Sequence, residues 1–168
     1  MSERSPEAGT SDRSLRTLLA FAPIIFAIHF LEEAPGFVVW FNAHVDRGIS
    51  DRLFWRVNLS ALIITVLVAG ANWVRISAGT LAIAVAWLGF LMAANALFHV
   101  TGAAVDRAYM PGLVTAVLLY VPYFALLVTR IVRSGALHPV IAALVAAIGA
   151  LPMLVHGYRI VFLGTRLF

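Results

Sequence analysis

A histidine and two adjacent carboxylates stand together in the run Ile28-His29-Phe30-Leu31-Glu32-Glu33-Ala34-Pro35-Gly36. On a helix, Glu32 lies three and Glu33 four positions beyond His29, so both carboxylates flank the imidazole about one turn along. The surroundings are apolar, and one ionised acid at the centre of a membrane helix costs about 2.5–3.5 kcal/mol on insertion scales. Both acids also fall in the last turn of their helix if Pro35 ends it, where the helix dipole disfavours a carboxylate. Relief would come from a bound cation, from a partner such as Arg159, or from protonation of one or both acids.

Few other side chains could join such chemistry. Asn95 and His99 are four apart and share one helix face. Imidazole beside carboxylate suits Zn or Fe, and an open coordination position would make the site catalytic. The expected ligands are His29, Glu33 and His99, with His156 as a fourth ligand or a supporting contact. Glu32 is the candidate general acid/base, Glu33 and Tyr109 are further catalytic candidates, and Asn58, Asn95 and Arg159 are candidate substrate contacts. Each has a plainer reading. Asn58 could bond a neighbouring helix, Tyr109 could be a belt tyrosine before a helix-start proline, and the two glutamates could face water at a bundle end. His44 and His138 read as interfacial histidines.

The elements that must position these groups are membrane helices. The chain has 168 residues, of which 62% are hydrophobic and 12% charged, outside the range of a soluble globular domain. Its net charge of +4 comes from twelve arginines with no lysine. These are spread over both termini and every connection, which excludes the one-sided basic footprint of a nucleic-acid binder. No cysteine is present, so disulfides, thiolate metal sites and a cysteine nucleophile are excluded. The expected fold is all-α, a polytopic membrane bundle of about five transmembrane helices forming one domain over residues 13–168. Residues 1–12 are expected to be a disordered tail.

The first span covers about 15–34, with Pro23 as a kink and Pro35-Gly36 as its end. Residues 37–56 mingle aromatic and charged side chains and read as an interfacial segment. Further spans are expected at about 53–74, 80–100, 109–128 and 137–162, with residues 101–107 as a small-residue loop. There is no convincing repeat and no GxxxG, although Ala82/Ala86 and Ala143/Ala147 would let helices approach closely. Arginines are nearly balanced between the two sides. The first helix then decides the orientation, with the amino terminus in the cytoplasm of a bacterial inner membrane.

Depth is more informative than orientation. Odd-numbered spans run one way, and His29, Glu32, Glu33, Asn95, His99 and His156 fall late in theirs. Even-numbered spans run back, and Asn58 and Tyr109 fall early in theirs. All of these groups therefore share one leaflet, and a five-helix bundle can gather them into one polar pocket.

The motif His29-Phe30-Leu31-Glu32-Glu33 resembles the signature of the HXXEE family of small bacterial membrane proteins. That family's pattern also carries a further histidine and a YxPG element. Here His99 corresponds to the histidine, and Tyr109-Met110-Pro111-Gly112 matches the element. The resemblance covers about Phe21 to Leu127 and implies that these positions are functional, without implying a reaction. His156 lies beyond it.

Three functions are compatible with such a pocket. The first is an intramembrane enzyme with Zn or Fe, acting on a lipidic or isoprenoid-like substrate, by hydrolysis in the default case. The second is a metal-free acid/base isomerase or terpene-cyclase-like enzyme, with aromatic walls around Phe26, Phe30, Trp87, Phe90 and Phe98. The third is a proton- or ion-coupled transporter, which five helices without a repeat would support only as a homo-oligomer. Haem ligation by His29 and His99 fits poorly with two adjacent acids. The expected partners are the bilayer and a hydrophobic small molecule.

Overall fold

The structure is a computed structural model that describes residues 6–167, with side chains from residue 13 onward. Five helices are long and apolar enough to cross a membrane: α1 (Arg13–Glu33), α3 (Asp51–Val74), α4 (Ala78–Asp106), α5 (Leu113–Arg133) and α6 (Pro139–Leu163). A short helix, α2 (Phe37–His44), follows the first span. The all-α membrane bundle is therefore the fold. Helix is continuous back to Pro6, so only residues 1–5 of the expected tail lie outside the described residues.

Proline chemistry shapes α1. Pro23 has no N–H to donate one turn back, and the α-helix is interrupted by a turn at Phe21. The inner face beyond it buries Phe26, His29, Phe30 and Glu33. The most enclosed span is α4, which buries Leu81, Ala84, Val85, Leu88 and Met92 against the other helices. Close approach to α6 comes from small residues. A Cβ added at Gly89 would lie 2.8 Å from the Ala146 carbonyl oxygen, and one added at Gly149 would overlap the Ala86 backbone. The α5 helix completes this core with Tyr120, Tyr123, Leu127 and Ile131, and Tyr123 donates to the Leu18 carbonyl at 2.9 Å.

The α3 helix is peripheral and buries only Phe54, Thr65 and Asn72. Its far end is fixed by polar contacts that satisfy groups with no water available. Trp87 Nε1 donates to Thr65 Oγ1 at 2.9 Å, and Asn72 Nδ2 donates to the Thr80 carbonyl at 3.2 Å.

Two boundaries differ from the sequence expectation. The supposed loop over 101–107 is helix as far as Asp106, and the chain then turns at Arg107 with φ +52°. Its small residues serve packing: a Cβ on Gly102 would sit 2.5 Å from Met110 Sδ and 3.2 Å from Trp40 Cζ2. The fourth span begins at Leu113 rather than Tyr109, because Gly112 at φ +96° is not helical.

Beyond the expectation of an interfacial segment, α2 is fastened to the end of α4. Trp40 Nε1 donates to Asp106 Oδ2 at 2.6 Å, and His44 stacks on Trp40 with ring centroids 4.2 Å apart. His44 Nδ1 lies 2.7 Å from the Trp40 carbonyl oxygen and Nε2 lies 3.0 Å from Asp106 Oδ1. Both ring nitrogens thus face acceptors, which is the arrangement of an imidazolium donating twice. Burial alone would lower the His44 pKa, but the Trp40 carbonyl and the Asp106 carboxylate outweigh it and raise the pKa above 6.5. A raised pKa means that docking gains from the proton, fully at pH below 6.5 and less as pH climbs through the raised value. Corrected amide exchange across residues 37–44 should therefore quicken as the pH is raised above neutrality. In Asp106→Asn it should be fast throughout, and unchanged protection in that variant would disprove the fastening.

Candidate metal centre

The two glutamates of α1 take different directions. Glu33 turns into the bundle with 5% exposure, beside a His29 and a His99 that are both at 0%. Glu32 points sideways to the start of α5. There it accepts from the backbone N–H of Val114 (3.0 Å, Oε1) and of Thr115 (2.7 Å, Oε2), from the Thr115 hydroxyl on Oε2, and from the Tyr109 hydroxyl at 2.7 Å. A carboxylate offers about four acceptor sites, so these donors fill it. Glu32 thus occupies the positive end of a neighbouring helix dipole, where a carboxylate is stabilised. It fits a positioning residue better than the general acid/base expected of it. Tyr109, 58% exposed, is tied to the same carboxylate.

Thr115 links the two acids' surroundings. Its hydroxyl gives its proton to Glu32, so its oxygen must accept from His29 Nδ1, 2.8 Å away. That network assigns the Nδ1–H tautomer to His29 and leaves a lone pair on Nε2. The Nε2 atom lies 3.5 Å from Glu33 Oε1, and His99 Nε2 approaches the same oxygen at 3.1 Å. Among the described residues, neither His29 Nε2 nor either ring nitrogen of His99 has a hydrogen-bond partner, although all three are buried. One ligand atom from each of the three residues falls within 4.8 Å of the others. Bonds of about 2.0–2.2 Å would set two ligands of a tetrahedral zinc roughly 3.4 Å apart, which matches both separations.

The YxPG turn shapes the other side. A Cβ on Gly112 would lie 2.5 Å from His99 Cε1 and 3.0 Å from both Glu33 Cγ and His29 Cε1. Only glycine combines that contact with φ +96°. Tyr120 packs its ring 4.2 Å from His29, and its buried hydroxyl has no partner among the described residues. Two π-helical segments, Gly89–Ala94 in α4 and Ala116–Tyr120 in α5, adjoin the site and set the facing of His99 and Tyr120. Thr115, Gly112's contact and Tyr120 carry no sequence signal of their own beyond the YxPG element.

A cavity of about 210 Å³ opens beside Glu33, with Phe26, Phe41, Phe54 and Phe90 among its walls. Asn58 and Asn95 line it. Asn58 also donates to the Phe54 carbonyl at 3.1 Å, and the side-chain oxygen of Asn95 is buried without a partner among the described residues. His156 lines the cavity but does not belong to the three-residue group, and its Nδ1 accepts from the Leu167 backbone N–H at 3.2 Å. A fourth-ligand role is therefore not supported by this geometry. Arg159 lines neither the cavity nor the acids, and Arg166 lines the cavity in its place. The reason is local: α6 ends at Leu163, and Gly164 at φ +63° turns the chain back toward α2, where Asp46 N–H donates to the Gly164 carbonyl at 3.0 Å.

No curated protein and no solved structure matches this chain. A family described as a protein of unknown function with an HXXEE motif matches residues 20–127, a stretch that holds His29, Glu32, Glu33, His99 and the YxPG turn. With most of its length matched, the chain belongs to the HXXEE family.

Proposed function

We propose that this chain is a metal-dependent enzyme of the bacterial inner membrane, acting on a lipophilic substrate drawn from the bilayer. The observation that carries the reading is the convergence of three buried ligand residues, of which His29 Nε2 and both ring nitrogens of His99 have no hydrogen-bond partner among the described residues. A lone pair of His29 directed at a carboxylate oxygen is repulsive unless a proton or a metal ion lies between them, and a metal ion would also engage His99. A zinc or iron ion bound there would supply Lewis acidity and bring the pKa of a bound water toward neutrality. Three protein ligands leave a coordination position open, the pattern of catalytic rather than structural sites. Hydrolysis is the reaction class that this arrangement serves most directly.

The chain's own residues have separate tasks in this reading. His29, Glu33 and His99 hold the ion. Thr115 and Glu32 orient the His29 ring, as outer partners of metal-bound histidines do. Tyr120 packs its ring against His29, and the phenylalanine-lined cavity takes the substrate's apolar body. Following the arginines of the first helix, the amino terminus faces the cytoplasm and the site lies in the opposite leaflet.

The same aromatic walls support a second reading, in which Glu33 acts as a buried acid without metal and protonates an alkene or epoxide. Metal analysis separates the two. Purified wild type should carry about one Zn or Fe per chain, with His29→Ala and His99→Ala carrying none. No stoichiometric metal, or its retention in both variants, removes the first reading and leaves the second.

Thr115→Val should fold and bind the metal about 10–100-fold more weakly, the usual cost of losing an outer-shell partner. Gly112→Ala should lose the metal and about 1–3 kcal/mol of stability, since it combines backbone strain with a clash at His99. Thermal unfolding followed with and without chelator measures both.

A further inference from the structure

Glu33 is one of two charged side chains that line the cavity, and Arg166 is the other. Arg166 follows the carboxyl end of α6, on the side of the bundle where α1 ends at Glu33, so the cation stands at the surface end of the cavity. Phe26 and Leu91 lie about two turns deeper than Glu33 and His99 along their helices, and Ala61 lies ten residues into α3. The walls thus grade from a charged mouth to an apolar end. Among the described residues no carboxylate pairs with Arg166. Asn95, with its unpartnered side-chain oxygen, adds a buried acceptor to the same lining.

We infer that this cavity binds a single-chain amphiphile with an anionic headgroup, a phosphate ester or a carboxylate, held by Arg166 at the mouth. The inference deepens the reading of a metal-dependent membrane enzyme and rests on it for the inner of two positive charges, while Arg166 supplies the other by itself. An ion of charge +2 beside Glu33 leaves the inner centre with a net single positive charge, and Arg166 adds a second. Both charges then favour an anion, and the partly desolvated setting strengthens that preference. Arginine presents a planar fork of donors that matches phosphate and carboxylate alike. The volume of about 210 Å³ exceeds that of an apolar cavity of about 150 Å³ that takes up benzene, so it has room for a chain segment and not for a two-chain lipid body.

The amphiphile's headgroup would also keep its polar atoms near the interface while its tail replaces lipid contact with aromatic contact. That geometry suits entry between α3 and α6, which flank the cavity with Leu53, Phe54, Val57 and Asn58 on one side and Met153, His156 and Ile160 on the other.

The test uses the full-length protein in a neutral detergent and native mass spectrometry with four twelve-carbon probes: dodecyl phosphate, dodecanoate, dodecanol and dodecyltrimethylammonium. Dodecyl phosphate, dodecanoate or both should bind at least tenfold more tightly than the alcohol and the cation. The stronger of the two identifies the headgroup. Arg166→Gln should lose that preference at least tenfold while keeping its metal content, and Arg159→Gln should keep both. Ala61→Phe should weaken binding of every probe that the wild type takes. Equal binding of anionic and neutral probes, or wild-type preference in Arg166→Gln, overturns the proposal. If the protein carries no metal but the anionic preference and its dependence on Arg166 stand, the metalloenzyme reading fails and this one survives.

Discussion

A carboxylate within an apolar layer must be answered by donors or by a cation, and this chain has two of them side by side. The structure answers each differently. Glu32 leaves its own helix end, where the dipole opposes it, and occupies the amino-terminal end of α5, where backbone N–H groups of Val114 and Thr115 reach both oxygens. Glu33 keeps to the bundle interior with two imidazoles. One acid thereby becomes an architectural joint between distant segments of the chain. The other retains coordination capacity. The Pro111-Gly112 turn connects both outcomes, since it starts α5 under Glu32 while pressing its own backbone against His29, Glu33 and His99.

The helix irregularities follow from the same demand. A π-segment adds a residue to one turn and shifts the facing of everything after it by about 100°. In α4 the apolar face of Leu81, Ala84, Val85 and Leu88 serves the common core, and after the segment Gly89–Ala94 the helix presents His99 to the site. In α5 the segment Ala116–Tyr120 separates Thr115, which touches His29 and Glu32, from the core positions Tyr123 and Leu127. Both helices therefore change partners midway along. Such local departures cost hydrogen-bond geometry and persist where a site requires them.

Much of this arrangement is legible in composition and spacing. Five apolar runs with alternating direction place His29, Glu33, Asn58, Asn95, His99 and Tyr109 at one depth, and the observed contacts agree with that reasoning. The partnership of Glu32 with α5 is not legible, because two of its four donors are backbone N–H groups more than eighty residues away, which carry no side-chain signature. Thr115 looks like any small membrane threonine for the same reason. Arg159 draws attention ahead of Arg166 because it lies inside the apolar run, where a charge needs explaining. The left-handed turn at Gly164 brings the later arginine back over the cavity, and a turn's direction is not encoded in the hydropathy pattern. The helical continuation to Asp106 is hidden because small residues read as a loop when the bulky partner that fills their space, Trp40, is distant in sequence.

The peripheral position of α3 bears on access. Its clamps, Thr65 with Trp87 and Asn72 with Thr80, lie in the leaflet away from the candidate metal centre. Near the centre it offers Phe54 to the interior and otherwise lines the cavity with Leu53, Val57, Asn58 and Ala61, while α6 lines the opposite wall without packing along it. Few buried contacts at one end and firm polar contacts at the other make the near end the cheaper one to displace. A substrate arriving sideways through the bilayer would then spread apart a pair of helices that share little surface, leaving the core of α1, α4 and α5 that holds His29, Glu33, His99 and Thr115 undisturbed. The proposed site would thus stay rigid where metal ligands would be held within fractions of an ångström, and yield where a substrate chain would pass.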